Sequence, residues 1–216
     1  MDPIVAHSKD IIERGSKSFA GAARLLDQKT RASVYMLYAW CRHCDVVIDD
    51  QELGFRRSSE ATDAERIGQK LAMLEAKTLA AYDGTADEPV FRALARVVKA
   101  HDIPKRHPLE LLEGFRMDAT ARQYRTLEDT LSYSYHVAGV VGVMMAMVMG
   151  VRDRATLERA QDLGIAFQLT NICRDVIDDY AIGRVYLPAD WLIAEGVEPE
   201  KIAHLSNRAA VFSVAS

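Results

Sequence analysis

The chain has 216 residues, enough for one domain with a substantial buried core. Its 49% hydrophobic and 27% charged content is ordinary for a globular protein, and a formal net charge of -4 gives no electrostatic footprint for nucleic acid. Three cysteines, Cys41, Cys44 and Cys173, are too few for a disulfide scaffold and suit a reducing cytoplasm, and the opening MDPIVAHSKDIIERG lacks the apolar core of an export signal.

Taken in chain order, the pattern is helical throughout. Stretches 29–51, 61–82, 126–149 and 154–180 lack proline and are rich in strong helix formers, which predicts a long helix over each. Ser58 and Ser59 precede the second stretch and Asp83-Gly84 close it. Pro104 and Pro108 bracket a short connection, and Gly183 and Pro188 follow the last. No strand-like alternation, fixed-period repeat or low-complexity linker interrupts this pattern. The expectation is a single all-α domain over residues 1–216, a helical bundle around a central cavity.

Within the first long stretch, Tyr38, Arg42, Asp45 and Asp49 are spaced by four, three and four residues and so share one helical face. Two carboxylates one turn apart suit a hard divalent cation such as Mg2+, which takes one or two protein carboxylates and fills its shell with water and substrate phosphate. Arg42, a turn from Asp45, is placed to contact phosphate oxygens. The competing reading is a solvated acidic helix end, since charged runs commonly just face water. The apolar company, YMLYAWC before the acids and VVI between them, argues against it.

The third stretch overlaps residues 132–151, which contain no Asp, Glu, Lys or Arg and approach the ~20 residues needed to span a bilayer. Ser132, Tyr133, Ser134, Tyr135 and His136 occupy its first half, and Gly139, Gly142 and Gly150 interrupt the rest, so a buried central helix is the better reading. Val137, Val140, Val141 and Met144 follow at helical spacing beside Ala138, Gly139 and Gly142. They serve equally well as tight helix packing or as the wall of a channel for a hydrocarbon tail.

In the fourth stretch, Gln168, Asn171, Asp175 and Asp179 are spaced by three, four and four residues, again one face, flanked by Arg174 and Asp178. An amide oxygen with carboxylates is a hard-oxygen donor set, suited to Mg2+ and poor for zinc. Asn171, set in the otherwise apolar FQLTNIC, is costly to bury without a partner. Two such faces in one small domain are suited to meet across a cavity and clamp a diphosphate through bridging metals. The Cys41-x-x-Cys44 pair has neither a second Cys/His pair at zinc spacing nor a βαβ context, so core packing is its better reading.

The strings YAWCRHCDVVIDD, YSYHVAGVVG and QLTNICRDVIDDYAIGRVYLP resemble, in this order, the three signature stretches of the squalene and phytoene synthase family. The likeness runs from the GSKSF segment at Ser16 to Leu192 and is closest to the bacterial phytoene synthases of carotenoid biosynthesis. The resemblance implies an isoprenoid-synthase-type helical bundle that condenses two geranylgeranyl diphosphates head to head. The resemblance implies that a cyclopropyl diphosphate forms first, and that loss of its diphosphate, rearrangement and loss of a proton then give phytoene.

By position it implies Asp45 and Asp49 as one metal-binding pair and Asn171, Asp175 and Asp179 as the other, with Mg2+, or Mn2+ in its place, and no NADPH. Arg42, Arg174 and Arg184 fall where the family contacts diphosphate. Ser16, Ser18 and Phe19 match an amino-terminal flap, and Tyr38 and Gln168 line the cavity. Tyr133 matches a tyrosine that steers ionisation or proton transfer. The resemblance further implies a cytoplasmic protein in peripheral contact with the inner face of the membrane and with other carotenoid-pathway enzymes. Two departures stand out: Val46 replaces an acid that usually follows the first aspartate, and the family's last helices have no counterpart before Ser216, which implies a C-terminal truncation. A squalene or dehydrosqualene synthase acting on farnesyl diphosphate is the rival within this class. An inactive homologue that binds lipid or partner helices is the rival outside it.

Overall fold

The computed structural model describes residues 2–49, 60–119 and 123–215, with only the backbone of Asp49 and residues 60–64. In chain order the helices are α1 (Pro3–Gly15), α2 (Lys17–Ala23), α3 (Gln28–Asp49), α4 (Glu60–Asp83), α5 (Pro89–His101) and α6 (Arg106–Ala119). Then follow α7 (Leu127–Ser134), a π-helical turn (Tyr135–Gly139), α8 (Val140–Val148), α9 (Arg154–Ala181), α10 (Ala189–Ala194) and α11 (Arg208–Ala215). No strand occurs among the described residues, and the four long helices lie within two residues of the expected stretches. Asp50, Ser58 and Ser59 lie outside the described residues. Pro108 falls inside the first turn of α6 rather than in the connection before it, a position where its missing N–H has no intrahelical partner to lose.

Helix starts follow local chemistry. Asp2 caps α1 by accepting from the Ile4 N–H at 2.9 Å, with Pro3 in the first turn. Thr126 and Asp129 form a reciprocal capping box at α7, and Asp153 caps α9 through the Thr156 N–H at 2.9 Å. At the other end of α9, Gly183 takes φ +81°; its N–H bonds the Tyr180 carbonyl, and the Arg184 N–H bonds the Asp179 carbonyl at 2.9 Å. That Schellman arrangement turns the chain back beside the aspartates.

α3 divides its residues between two faces. Leu37, Trp40, Cys44 and Ile48 are buried in the main core, while the stripe starting at Tyr38 lies roughly a quarter turn round the helix. That core joins α1, α3, α4, α5, α6 and α8. A second cluster gathers Met117, Tyr124, Tyr133, Ile172, Tyr186 and Leu192 near the α9–α10 connection.

The helical run Leu127–Val148 is long and apolar enough to cross a membrane, but half of its most apolar window is buried, and α8 packs on α3, α5, α6 and α9. Val140 and Met144 are fully buried in the main core, whereas Val137 and Val141 are half-buried against the two clusters. The packing account therefore holds for Val140 and Met144.

The small residues of this run set the approach of α9. A Cβ on Gly142 would drive into the Ala160 carbonyl oxygen, and one on Gly164 would sit 2.5 Å from the Ala138 carbonyl oxygen. Because the obstacles are backbone, relief requires moving a helix. Gly164→Ala is therefore expected to destabilise by roughly 1–3 kcal/mol, or about 2–12 °C at the ~2–4 °C per kcal/mol of a chain this size. Gly68→Ala, on a surface of α4 with open space around it, should be neutral or stabilising. Thermal denaturation of the two variants beside the parent checks both.

Candidate functional site

The first stripe sits on α3 beneath the α1–α2 junction. Gly15 packs so closely on Tyr38 that a Cβ there would lie 2.5 Å from the phenol oxygen, and the Phe19 ring lies 6.1 Å from the Tyr38 ring. Ser16 caps α2 by accepting from the Phe19 N–H at 3.2 Å, which gives its hydroxyl a structural task; Ser18 and Phe19 are exposed. One helical turn beyond Tyr38, Arg42 forms an ion pair with Asp45. Val46 is exposed beside the stripe, so its apolar side chain faces outward rather than filling the core. Asp49 ends α3, and its side chain lies outside the described residues.

The second stripe lies on α9, where Gln168, Asn171, Asp175 and Asp179 are all partly exposed. Asn171 is accordingly not a buried amide in need of a partner. Arg174 grips Asp175 with two hydrogen bonds, Nε to Oδ1 at 2.7 Å and a terminal nitrogen to Oδ2 at 2.5 Å. Asp175 is also the one interior residue of α9 outside helical geometry, at φ -104° and ψ 15°, where the helix kinks.

The hydrogen bonds from Arg174 hold the Asp175 carboxyl below its ordinary range. Burial and the nearby Asp175 charge push Asp179 the other way, partly offset by Arg184. Toward the helix start, Leu163 and Phe167 are 57% and 63% exposed, with Phe167 one turn from Asn171. One helix thus offers an open apolar section followed by a polar one.

Tyr133 lies where α7 enters the π-turn. Its hydroxyl donates to Asp118 Oδ2 at 3.1 Å, its ring stacks on Tyr186 at 4.6 Å, and Tyr186 donates to Asp118 Oδ1 at 2.7 Å. Burial, reinforced by the Asp118 charge, pushes the Tyr133 phenol far above its usual range, so it remains a neutral donor. A cavity of about 520 Å³ opens beside this cluster, lined by Asp118, Tyr124, Tyr180, Arg184, Tyr186 and Glu200. Of the described residues expected from sequence, only Arg184 lines it; a smaller cavity next to it takes in both Asp179 and Arg184.

Asp118 and Tyr186 were not singled out in the sequence. Asp118 lies 15 residues from Tyr133 and 68 from Tyr186, so no local spacing joins them. Cys41 is pushed up to about 12 by burial and Cys44 is raised well above the ordinary thiol range, so neither is a thiolate at neutral pH.

Residues 12–216 match the sequence profile of the family described as squalene/phytoene synthase. The chain is 56% identical over 214 residues to a phytoene synthase of Pseudescherichia vulneris, covering 99% of this chain and 69% of that one. It is 54% identical over 213 residues to a 15-cis-phytoene synthase of Pantoea ananas, covering 98% and 68%. The fold superposes on a crystal structure of a dehydrosqualene synthase in complex with ligand, with a TM-score of 0.80 and 33% identity, over 98% of this chain and 71% of that one. Enzymes of that family depend on a divalent metal ion.

The donors present fit such an ion. Asp45, Asp175 and Asp179 are carboxylates on partly exposed helix faces, and Asn171 adds an amide oxygen. Among the described residues no three acids, histidines or cysteines converge to hold an ion on their own.

A raised carboxyl destabilises the fold at neutral pH. The folded chain binds the Asp179 proton more tightly than the unfolded chain, so stability is lost as pH rises from the ordinary 3.8 through the raised value. Asp179→Asn should therefore melt higher than the parent at pH 7, and the two should converge as pH falls below the ordinary carboxyl range. Melting temperature against pH for both proteins measures this.

Proposed function

Because the chain belongs to the squalene/phytoene synthase family, we propose that it is a prenyltransferase condensing two geranylgeranyl diphosphates head to head into phytoene, for carotenoid synthesis. The observation that carries the reading is the amphiphilic division of α9: the open apolar turn at Leu163 and Phe167 passes directly into Asn171, the kink at Asp175, and Asp179. A prenyl diphosphate has the same division, an apolar chain ending in a polyanion. Relatives named phytoene synthase, 54–56% identical, favour a twenty-carbon substrate over the fifteen-carbon rival.

In this reading Asp45 and Asp49 hold one share of the metal, and Asn171, Asp175 and Asp179 the other. A bound Mg2+ would stabilise the negative charge that develops on the leaving diphosphate. Arg42 and Arg174 are already beside these carboxylates, and Arg184 is returned next to Asp179 by the turn at Gly183. Exposed ion pairs of this kind are worth only ~0–1 kcal/mol, so Arg42 and Arg174 can turn to phosphate oxygens at little cost.

Leu163 and Phe167 offer the hydrocarbon chain an open apolar surface to cover. Tyr133, a neutral phenol whose proton is directed at Asp118, is held as an oriented hydroxyl rather than a phenolate base. The same reading places the protein in the cytoplasm in peripheral contact with the membrane, since substrate and product are both greasy.

Incubation of the full chain with Mg2+ and geranylgeranyl or farnesyl diphosphate, followed by product chromatography, is expected to give phytoene. Asp45→Ala and Asp175→Ala are each expected to lower turnover by roughly 100-fold or more, the scale on which lost electrostatic stabilisation is felt. A thirty-carbon product alone would overturn the phytoene assignment. Turnover unchanged by either substitution would overturn the metal-site assignment.

A further inference from the structure

We infer that Glu110 on α6 is a positioning residue: it pins the π-turn through Tyr135 and thereby fixes where the Tyr133 phenol is held. The functional half of this inference rests on the prenyltransferase reading; the positional half does not.

Glu110, Gly114 and Asp118 are four residues apart and share one helical face. The Tyr135 hydroxyl donates to Glu110 Oε2 at 2.8 Å, and the Tyr133 hydroxyl donates to Asp118 Oδ2 at 3.1 Å. Between these anchors the two backbones nearly touch, since a Cβ on Gly114 would lie 2.7 Å from Val137 Cγ1 and 3.1 Å from the His136 carbonyl carbon. Residues two apart on a helix do not share a face. Here both phenols nevertheless end on carboxylates of a single face of α6, one on either side of the close approach.

A π-turn is rare and appears mostly as a single turn inside an α-helix, so neighbouring groups must hold it in place. The three contacts from α6 meet that requirement. The two carboxylates are not equivalent, however. Asp118 is shared with Tyr186 from the segment after α9, so it belongs to the aromatic cluster as well. Among the described residues Glu110 is otherwise shared only within its own helix, with the buried His107, whose Nδ1 lies 3.2 Å from the same oxygen. Glu110 is therefore the anchor that ties the π-turn to α6 independently of the cluster, and it reaches Tyr133 only by way of Tyr135.

Glu110→Ala and Tyr135→Phe remove the same hydrogen bond from opposite sides, and Glu110→Gln keeps an acceptor oxygen for the phenol. The full chain labelled with 3-fluorotyrosine, with the Tyr133 signal assigned by its loss in Tyr133→Phe, reports the phenol's surroundings by 19F NMR without any turnover. The Tyr133 resonance is expected to move or broaden in Glu110→Ala and Tyr135→Phe and to stay near the parent's in Glu110→Gln. With geranylgeranyl diphosphate, kcat should fall roughly tenfold in the first two while KM holds within about twofold, the signature of misplacement rather than lost binding. Should Glu110→Ala fail to fold, Tyr135→Phe, which deletes one hydroxyl, decides alone. A Tyr133 resonance unchanged in Tyr135→Phe overturns the inference, and absence of turnover in the parent overturns only the prenyltransferase reading.

Discussion

Nothing larger than hydrogen fits where α9 crosses the π-turn and the start of α8. The Cβ position of Gly164 is taken by the Ala138 carbonyl, and that of Gly142 by the Ala160 carbonyl. This backbone-to-backbone contact sets how far the second aspartate helix lies from the tyrosine helix. Since α8 also packs against α3, it sets the frame between the two aspartate stripes too. Side chains can hop between rotamers, but two helices in main-chain contact transmit a displacement rather than absorb it. The relative placement of Tyr133, Asp175 and, through α8, Asp45 rests on the absence of two methyl groups.

Charge at the site is held by local pairing rather than by burial. Each aspartate helix carries an arginine beside an aspartate, Arg42 on Asp45 and Arg174 on Asp175, at positions exposed enough for the pairing to be exchangeable. The carboxylates of the second stripe are unequal. Asp175 is kept ionised by Arg174, while Asp179 is pushed toward its protonated form by partial burial and by Asp175. A divalent cation would resolve that tension by replacing repulsion with attraction at both oxygens. The phenol of Tyr133 is the contrasting case, a group kept neutral by its surroundings and aimed by a carboxylate.

The parts of this arrangement that are local in sequence were legible there. Helical periodicity gives the long helices, and spacings of three and four place Tyr38, Arg42 and Asp45 on one face and Gln168, Asn171, Asp175 and Asp179 on another. Gly183 announces the end of α9. What escaped are contacts between distant segments and departures from regular geometry. Asp118 meets Tyr133 and Tyr186 across 15 and 68 residues. The π-turn at Tyr135–Gly139 and the kink at Asp175 break helices whose sequences read as uninterrupted. Val137, Val140, Val141 and Met144 share one helical spacing across the π-turn and α8, yet Val140 and Met144 are core while Val137 and Val141 are half-buried, because the neighbours of a helix decide which of its apolar residues stay open.

The central claim is that the two aspartate stripes jointly hold a diphosphate through a divalent metal. Equilibrium dialysis of the full chain against inorganic pyrophosphate, with and without Mn2+, tests it most directly when Asp45→Asn and Asp175→Asn are run beside the parent. The account predicts that the parent retains pyrophosphate only with Mn2+ present, and that each substitution weakens retention about tenfold or more, at least ~1.4 kcal/mol. Retention that is independent of the metal, or unaltered in either variant, would contradict it.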